Sequence, residues 1–390
     1  MNRNVILLAL CQALLTTGNV LLVAVNGLIG RDIAPSEALI TLPVAFQFIG
    51  LMAATIPASL TMKRIGRKNG FYLGNSFGIA GALLCILALP DGDFTLFCGG
   101  TFLLGIGIGF GTLYRFAAVE VAAEGQQSHA ISLVMAGGVL AAILGPALAL
   151  HSRHWIDGTP FVGSFMGLLL LYVIALLLLF NIRITPSESV TETAPSERRL
   201  GEILRQDLFI VAVLAGMSSY AVMNLIMTAT PLAMERYGYS FASATSVIKW
   251  HVLGMFVPSF FTGRLIQRFG ALPMIKLGAL LILFCIGLNV QGQSEWHFWS
   301  ALLLLGIGWN FMFISATQLV TLAYNSQEKA KTQAANEFLV FGMVTLSALG
   351  SGWLEAGVGW INLNLLMLPL LGITLLMLYT RGRQLETATA

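Results

Sequence analysis

Mostly apolar runs of about 20 residues or more, long enough to cross the hydrocarbon core of a bilayer, recur twelve times along this chain and leave it few possible folds. They lie near 5-29, 38-62, 70-90, 94-121, 129-150, 161-182, 208-233, 243-265, 273-292, 297-323, 334-354 and 360-380. Lipid offers no partner to a backbone N–H or C=O, so each run must satisfy itself as a helix, and the chain is predicted to be an all-α membrane protein of twelve transmembrane helices. Composition agrees: 57% of the 390 residues are hydrophobic and 10% charged, against roughly 25% charged in an average soluble domain. The first run follows Arg3 and has the apolar core of a secretory signal, but it is too long for that role and is read as a retained span.

The four cysteines, Cys11, Cys85, Cys98 and Cys285, sit inside apolar runs with no CxxC spacing, so free thiols are expected. Basic residues set the orientation. With the amino terminus in the cytoplasm, Arg3, the Lys63, Arg64, Arg67, Lys68 cluster, Arg183, Arg198, Arg199, Arg205, Arg264, Arg268, Lys276, Lys329, Lys331, Arg381 and Arg383 fall inside. Only Arg31, Arg153 and Arg236 fall outside, so both termini are predicted to be cytoplasmic. The net charge of +3 reflects this topology and carries no case for nucleic-acid binding. No nucleotide loop, nucleophile and base pair or HExxH is present, which argues against an enzyme.

The polar stretch from Arg183 to Gln206, rich in Ser, Thr, Pro and Glu, divides the chain into six spans and six spans. The predicted organisation is a six-helix bundle over 1-182, a cytoplasmic linker over 183-206 and a second bundle over 207-390. The halves echo one another: Lys63-Arg64-Ile65-Gly66 follows the second span and Gln267-Arg268-Phe269-Gly270 follows the eighth, each with an arginine two before a glycine. Such an internal repeat predicts two bundles related by a pseudo-two-fold axis.

Over essentially its whole length the sequence resembles the major facilitator superfamily. The turn at 59-68 is similar to that family's Gly-x-Leu-Ala-Asp-Arg-x-Gly-Arg-Lys loop, with Arg64, Gly66, Arg67 and Lys68 matching, Lys63 in place of the acid and Ser59 in place of the first glycine. Gly137, Gly138, Gly145 and Pro146 resemble part of the antiporter motif, but the Ala-Leu-Ala-Leu that follows lacks its second glycine pair, which weighs against drug antiport.

Polar and soft residues inside the spans are where transport chemistry is expected. His251 and Met255 stand four apart in the eighth span, and Met223 and Met227 four apart in the seventh. Methionine in a membrane helix most often fills gaps, but these two pairs lie at matching distances from the turn near Tyr239. An antiparallel hairpin would therefore present a Met227–His251 rung and a Met223–Met255 rung one helical turn apart. Three thioethers and an imidazole suit Cu(I) and suit Mg or Ca poorly.

Met-x-x-x-Met in helix seven and His-x-x-x-Met in helix eight resemble the CcoA-like copper importers within the superfamily. That resemblance implies copper uptake across the inner membrane by alternating access, with Met223, Met227, His251 and Met255 as the metal path. Copper is then the transported substrate with no resident cofactor, a cytoplasmic copper chaperone would receive it, and it would supply cytochrome oxidase maturation. The alternatives are import of an organic solute such as riboflavin, attributed to relatives of that branch, and proton-coupled drug export. Arg115, Glu120, Lys249 and Glu337 read as salt-bridge or snorkelling residues, and Asn19, Asn26, Asn224 and Asn310 as helix-to-helix hydrogen bonders.

Overall fold

A computed structural model of the protein describes residues 3–114, 117–118, 121–122, 127–182, 198–325 and 328–389. Arg115 and Glu120 lie outside the described residues, as does most of the linker. Among the described residues every regular element is a helix. In chain order these are α1 (Arg3–Ile33), α2 (Leu42–Ile65), α3 (Arg67–Asp91), α4 (Phe94–Gly111), α5 (Gln127–Ser152), α6 (Val162–Phe180), α7 (Asp207–Arg236) and α8 (Phe241–Phe256). They continue with α9 (Ser259–Phe269), α10 (Ala271–Gln291), α11 (Glu295–Leu322), α12 (Lys329–Leu365) and α13 (Leu368–Thr389).

Nine described stretches are long and apolar enough to cross a membrane, and local chemistry relates them to the twelve expected spans. The last two spans run together as one apolar stretch, because α12 continues through Gly359, whose φ of 78° marks the turn between them. The fifth is described as an apolar helix only over Ala136–Ser152. The eighth is split: Pro258 has no N–H to give, and the chain breaks into α8 and α9 there. Asn310 of α11 mends the break, its Nδ2 donating to the Met255 carbonyl at 2.6 Å and to Ser259 Oγ at 2.7 Å, while Thr262 donates to Asn310 Oδ1 at 2.6 Å.

The internal repeat is visible in backbone angles. Gly66 joins α2 to α3 at φ 85°, ψ 157°, and Gly270 joins α9 to α10 at φ 88°, ψ 159°. Side chains essentially forbid this conformation, so both turns require glycine. Close helix approaches repeat as well. A Cβ on Gly105 of α4 would fall on the Gln47 carbonyl of α2, and one on Gly306 of α11 would fall on the His251 carbonyl of α8. An offset of 204 residues thus relates Gln47, Gly50 and Gly66 to His251, Gly254 and Gly270. Similarly, α3 meets α4 through Gly78 and Gly107, and α10 meets α11 through Gly278 and Gly308.

Two kinds of contact join the halves. Near the middle of the helices Val23 of α1 enters the core of the second half, while Ile248 and Val252 of α8 enter that of the first. The others gather at the end of the molecule opposite the chain termini, called the distal end below. There Arg31 pairs with Glu235, Phe161 meets Phe241 edge-on at 5.6 Å, and the Arg153 guanidinium lies 4.9 Å from both rings. Thr41 also donates to the Leu349 carbonyl at 3.4 Å and accepts from Gly352 N.

Candidate functional site

All four residues singled out for copper are buried within the second half. Met223, Met227 and Met255 share one apolar cluster, and His251 is fully enclosed. The expected hairpin rungs are modified, however, because α8 packs chiefly on α11 and, across the halves, on α5, with a smaller contact to α7. The side-chain-free surface of Gly306 and Gly254 lets α8 and α11 approach almost backbone to backbone, and this draws His251 toward α11. Its Nδ1 bonds the Leu302 carbonyl at 2.8 Å, and its Nε2 has no hydrogen-bond partner among the described residues. Among those residues no three His, Cys, Asp or Glu side chains are grouped to hold a metal, and all four cysteines are free and buried.

The asparagines behave as the sequence implied. Asn224 reaches α12 through Ser347 Oγ at 2.9 Å and the Val344 carbonyl at 3.3 Å, and Asn310 serves the α8–α9 break. Asn26 donates to Gln47 Oε1 at 3.0 Å, and Gln47 Nε2 donates to Asn19 Oδ1 at 2.7 Å. Glu355, not singled out from sequence, is buried near the distal end and pairs with Arg236 at 3.1 Å.

The structure also assembles a group of aromatic rings that sequence reading did not find. Near the middle of α7, Tyr220 meets Trp309 of α11 at 5.1 Å and 87°, Phe313 at 4.9 Å and 85°, and Phe341 of α12 at 5.7 Å and 61°. Trp309 and Phe313 stack at 5.1 Å and 13°. These rings adjoin the seam between halves: Tyr220 and Phe341 pack against a cluster that Val44, Ala45 and Phe48 of α2, the helix that carries Gln47, form with Val344 and Ala348 of α12. Tyr220, Phe313 and Phe341 are only partly buried, and the enclosed Trp309 Nε1–H has no partner among the described residues.

On the α1 side, Gln12, Thr16, Asn19, Val23, Asn26 and Gly27 fall within one helical face at 100° per residue. Val23 and Gly27 mark that face as the one turned toward α7: a Cβ on Gly27 would lie 3.9 Å from Leu232 and from the Thr228 carbonyl. Aromatic faces on one side of the seam and carboxamides on the other, with no ionised group in either set, suit a neutral, planar ligand that carries hydrogen-bonding edges.

A twelve-span helical protein built as two repeated bundles, with polar and aromatic side chains along the seam, is a membrane transporter by class. The chain belongs to the Major Facilitator Superfamily, whose profile matches residues 8–348. It is similar to riboflavin transporter RfnT of Brucella anthropi, 40% identical over 381 residues that cover 97% of this chain and 96% of that protein. An uncharacterised MFS-type transporter of Bacillus subtilis, YdeG, is 28% identical over 93% of this chain and 88% of its own. Among solved structures, a D-xylose–proton symporter superposes with a TM-score of 0.73 at 14% identity, covering 96% of both chains. The human organic anion transporter MFSD10 does so at 0.70 and 16% identity, covering 96% of this chain and 99% of its own; both establish the fold.

Proposed function

We propose that the protein is a secondary importer of riboflavin, or of a flavin with the same ring system, across a bacterial inner membrane, with both termini cytoplasmic. The observation that carries this reading is identity at two residues in five with a riboflavin transporter along nearly the whole chain. The chemistry of the seam supports it: the isoalloxazine ring is flat, conjugated and uncharged, matching stacked rings and carboxamides with no ionised partner. The positive-inside count supports the orientation and makes the distal end the outer one. The test is uptake of labelled riboflavin by cells that can neither make nor otherwise import it. Accumulation that depends on this protein is expected; its failure with the protein present in the membrane would overturn the reading.

This reading replaces copper import as the main one, since similarity to a riboflavin transporter favours the organic-solute alternative. One observation keeps Cu(I) as a second reading. His251 holds a carbonyl with Nδ1 and leaves Nε2 free, the arrangement of many metal-binding imidazoles, in the same half-bundle core as Met223, Met227 and Met255. Titrating purified protein with Cu(I) decides it: wild type that binds no more Cu(I) than a His251→Ala, Met227→Ala double variant ends this reading.

A further inference from the structure

We propose that Asn19 is the specificity-determining contact of the transporter, reading a cyclic imide edge (O=C–NH–C=O) of its ligand, and that Gln47 and Asn26 are positioning residues that fix its amide. The inference rests on the flavin reading above and names the contact that would select the ring.

The hydrogen bonds in the spans single out this side chain. Gln12 and Thr16 engage each other within one turn of α1, Gln12 Nε2 donating to Thr16 Oγ1 at 3.1 Å and Thr16 donating to the Gln12 backbone carbonyl at 2.8 Å, with no bond to another helix that would fix the Gln12 amide among the described residues. Asn224 is committed to α12 and Asn310 to the helix break. Asn26 and Gln47 are 0% and 1% exposed and engage each other, whereas Asn19 is only partly buried and accepts through Oδ1 from Gln47.

Direction matters here. A carboxamide can present either its oxygen or its nitrogen to a neighbour, and in the structure the relay runs from Asn26 Nδ2 to Gln47 Oε1 and from Gln47 Nε2 to Asn19 Oδ1. Were Gln47 reversed, its nitrogen would face the Asn26 nitrogen and its oxygen the Asn19 oxygen, two repulsive contacts in a buried place. Asn19 therefore keeps both Nδ2 hydrogens and one Oδ1 lone pair available. Its helical face carries Val23 and Gly27, so Asn19 stands on the side of α1 that meets the second half, the half that holds the aromatic group. A donor beside an acceptor, at amide spacing, pairs bidentately with an imide: Nδ2–H donates to a ring carbonyl and the ring N–H donates to Oδ1. The pyrimidine end of a flavin offers this edge at its N3–H.

The pseudo-symmetry strengthens the assignment. The offset that carries Gln47 to His251 carries Asn19 to Met223 and Asn26 to Thr230, so the second half has no amide at the equivalent positions. What the two halves share is framework; the relay is where they differ, as a site that engages one asymmetric ligand requires.

The test is an equilibrium titration of purified protein with riboflavin and N3-methylriboflavin, read by quenching of flavin fluorescence. Wild type should prefer riboflavin about tenfold or more, the effect of a buried hydrogen-bond pair that the methyl group forbids. Asn19→Ala should weaken riboflavin about tenfold while leaving the methylated ligand unchanged, so that the preference disappears, whereas Asn19→Asp, which loses the donor and keeps the acceptor for N3–H, should weaken riboflavin and retain part of the preference. Gln47→Leu, which removes the bond that orients the Asn19 amide, should reduce the preference as well. Tyr220→Ala should weaken both ligands alike. Riboflavin binding by wild type with the preference intact in both Asn19 variants would overturn this proposal alone; no riboflavin binding by wild type would overturn it together with the flavin reading.

Discussion

Single residues carry more of this architecture than its apolar composition suggests. Gly66 and Gly270 hold φ near +85° with ψ near 158°, a region in which an added Cβ costs on the order of 1–3 kcal/mol. Gly66→Ala and Gly270→Ala should each lower the thermal unfolding midpoint in detergent, whereas Gly263→Ala, with nothing within 4 Å of the new methyl and no positive φ, should leave it unchanged or raise it. The sequence made Gly66 and Gly270 legible because an arginine stands two before each. It made the asparagines legible as helix-to-helix bonders, since an unmet amide in lipid is costly wherever it points. It could not reveal which asparagine keeps a free edge, because that depends on whether a partner such as Gln47 comes within reach from another helix. The same limit hid the rings. Aromatics are spread through most of the spans, and Tyr220, Trp309, Phe313 and Phe341 meet only when three helices converge.

Elements were read more reliably than their junctions. The all-helical fold and the division of the polypeptide by apolar runs follow from lipid chemistry alone. The eighth span was expected to be continuous, and Pro258 interrupts it because its ring removes the donor on which the next turn depends. The end of the linker shows another junction that sequence left open. Arg198 grips Glu328, in the connection between α11 and α12, with Nε to Oε1 at 2.8 Å and Nη2 to Oε2 at 2.6 Å, adds a bond to the Ala323 carbonyl, and accepts one from Lys331. Nε and Nη2 of Arg198, with its backbone N–H and that of Asn325, hold the Glu328 carboxyl down at about 2, and Glu328 in turn raises the Arg198 guanidinium.

A carboxyl with a depressed native pKa contributes full stability above its unfolded value of 4.5, and that contribution fades as pH falls toward about 2. Hydrogen exchange at 198–206 should therefore be slow and pH-independent, once corrected for intrinsic rates, above about pH 5, and should accelerate below it as the anchor is lost. In Glu328→Gln the extra acceleration should be absent because the anchor is already weak; an unchanged acid response in that variant would remove Glu328 from the explanation.

At the scale of the whole molecule, the contacts that close the distal end belong to both halves, and they are of a kind that can be undone. Arg31 and Glu235 are 38% and 40% exposed, so their pair contributes at most about 1 kcal/mol and can bias an equilibrium without locking it. Glu235→Gln should raise the reactivity of a cysteine placed at Phe241 toward a membrane-impermeant thiol reagent by about two- to fivefold. Exchanging the charges, Arg31→Glu with Glu235→Arg, should bring reactivity back toward the parent value. Equal reactivity in all three proteins would show that the ion pair takes no part in closing this end.

The glycine contacts between α2 and α4, α3 and α4, α8 and α11, and α10 and α11 bring backbone against backbone, as at Gly105 with Gln47, Gly107 with Gly74, Gly306 with His251 and Gly278 with Gly308. Each half is therefore braced internally like a truss, and its compliance is displaced to the seam where Phe161, Phe241 and Arg153 interleave. A small tilt about mid-height then becomes a much larger displacement at the rims. Under the flavin reading proposed above, a tilt of this kind would open an aperture for a tricyclic solute at one face or the other with little loss of interior packing in either half.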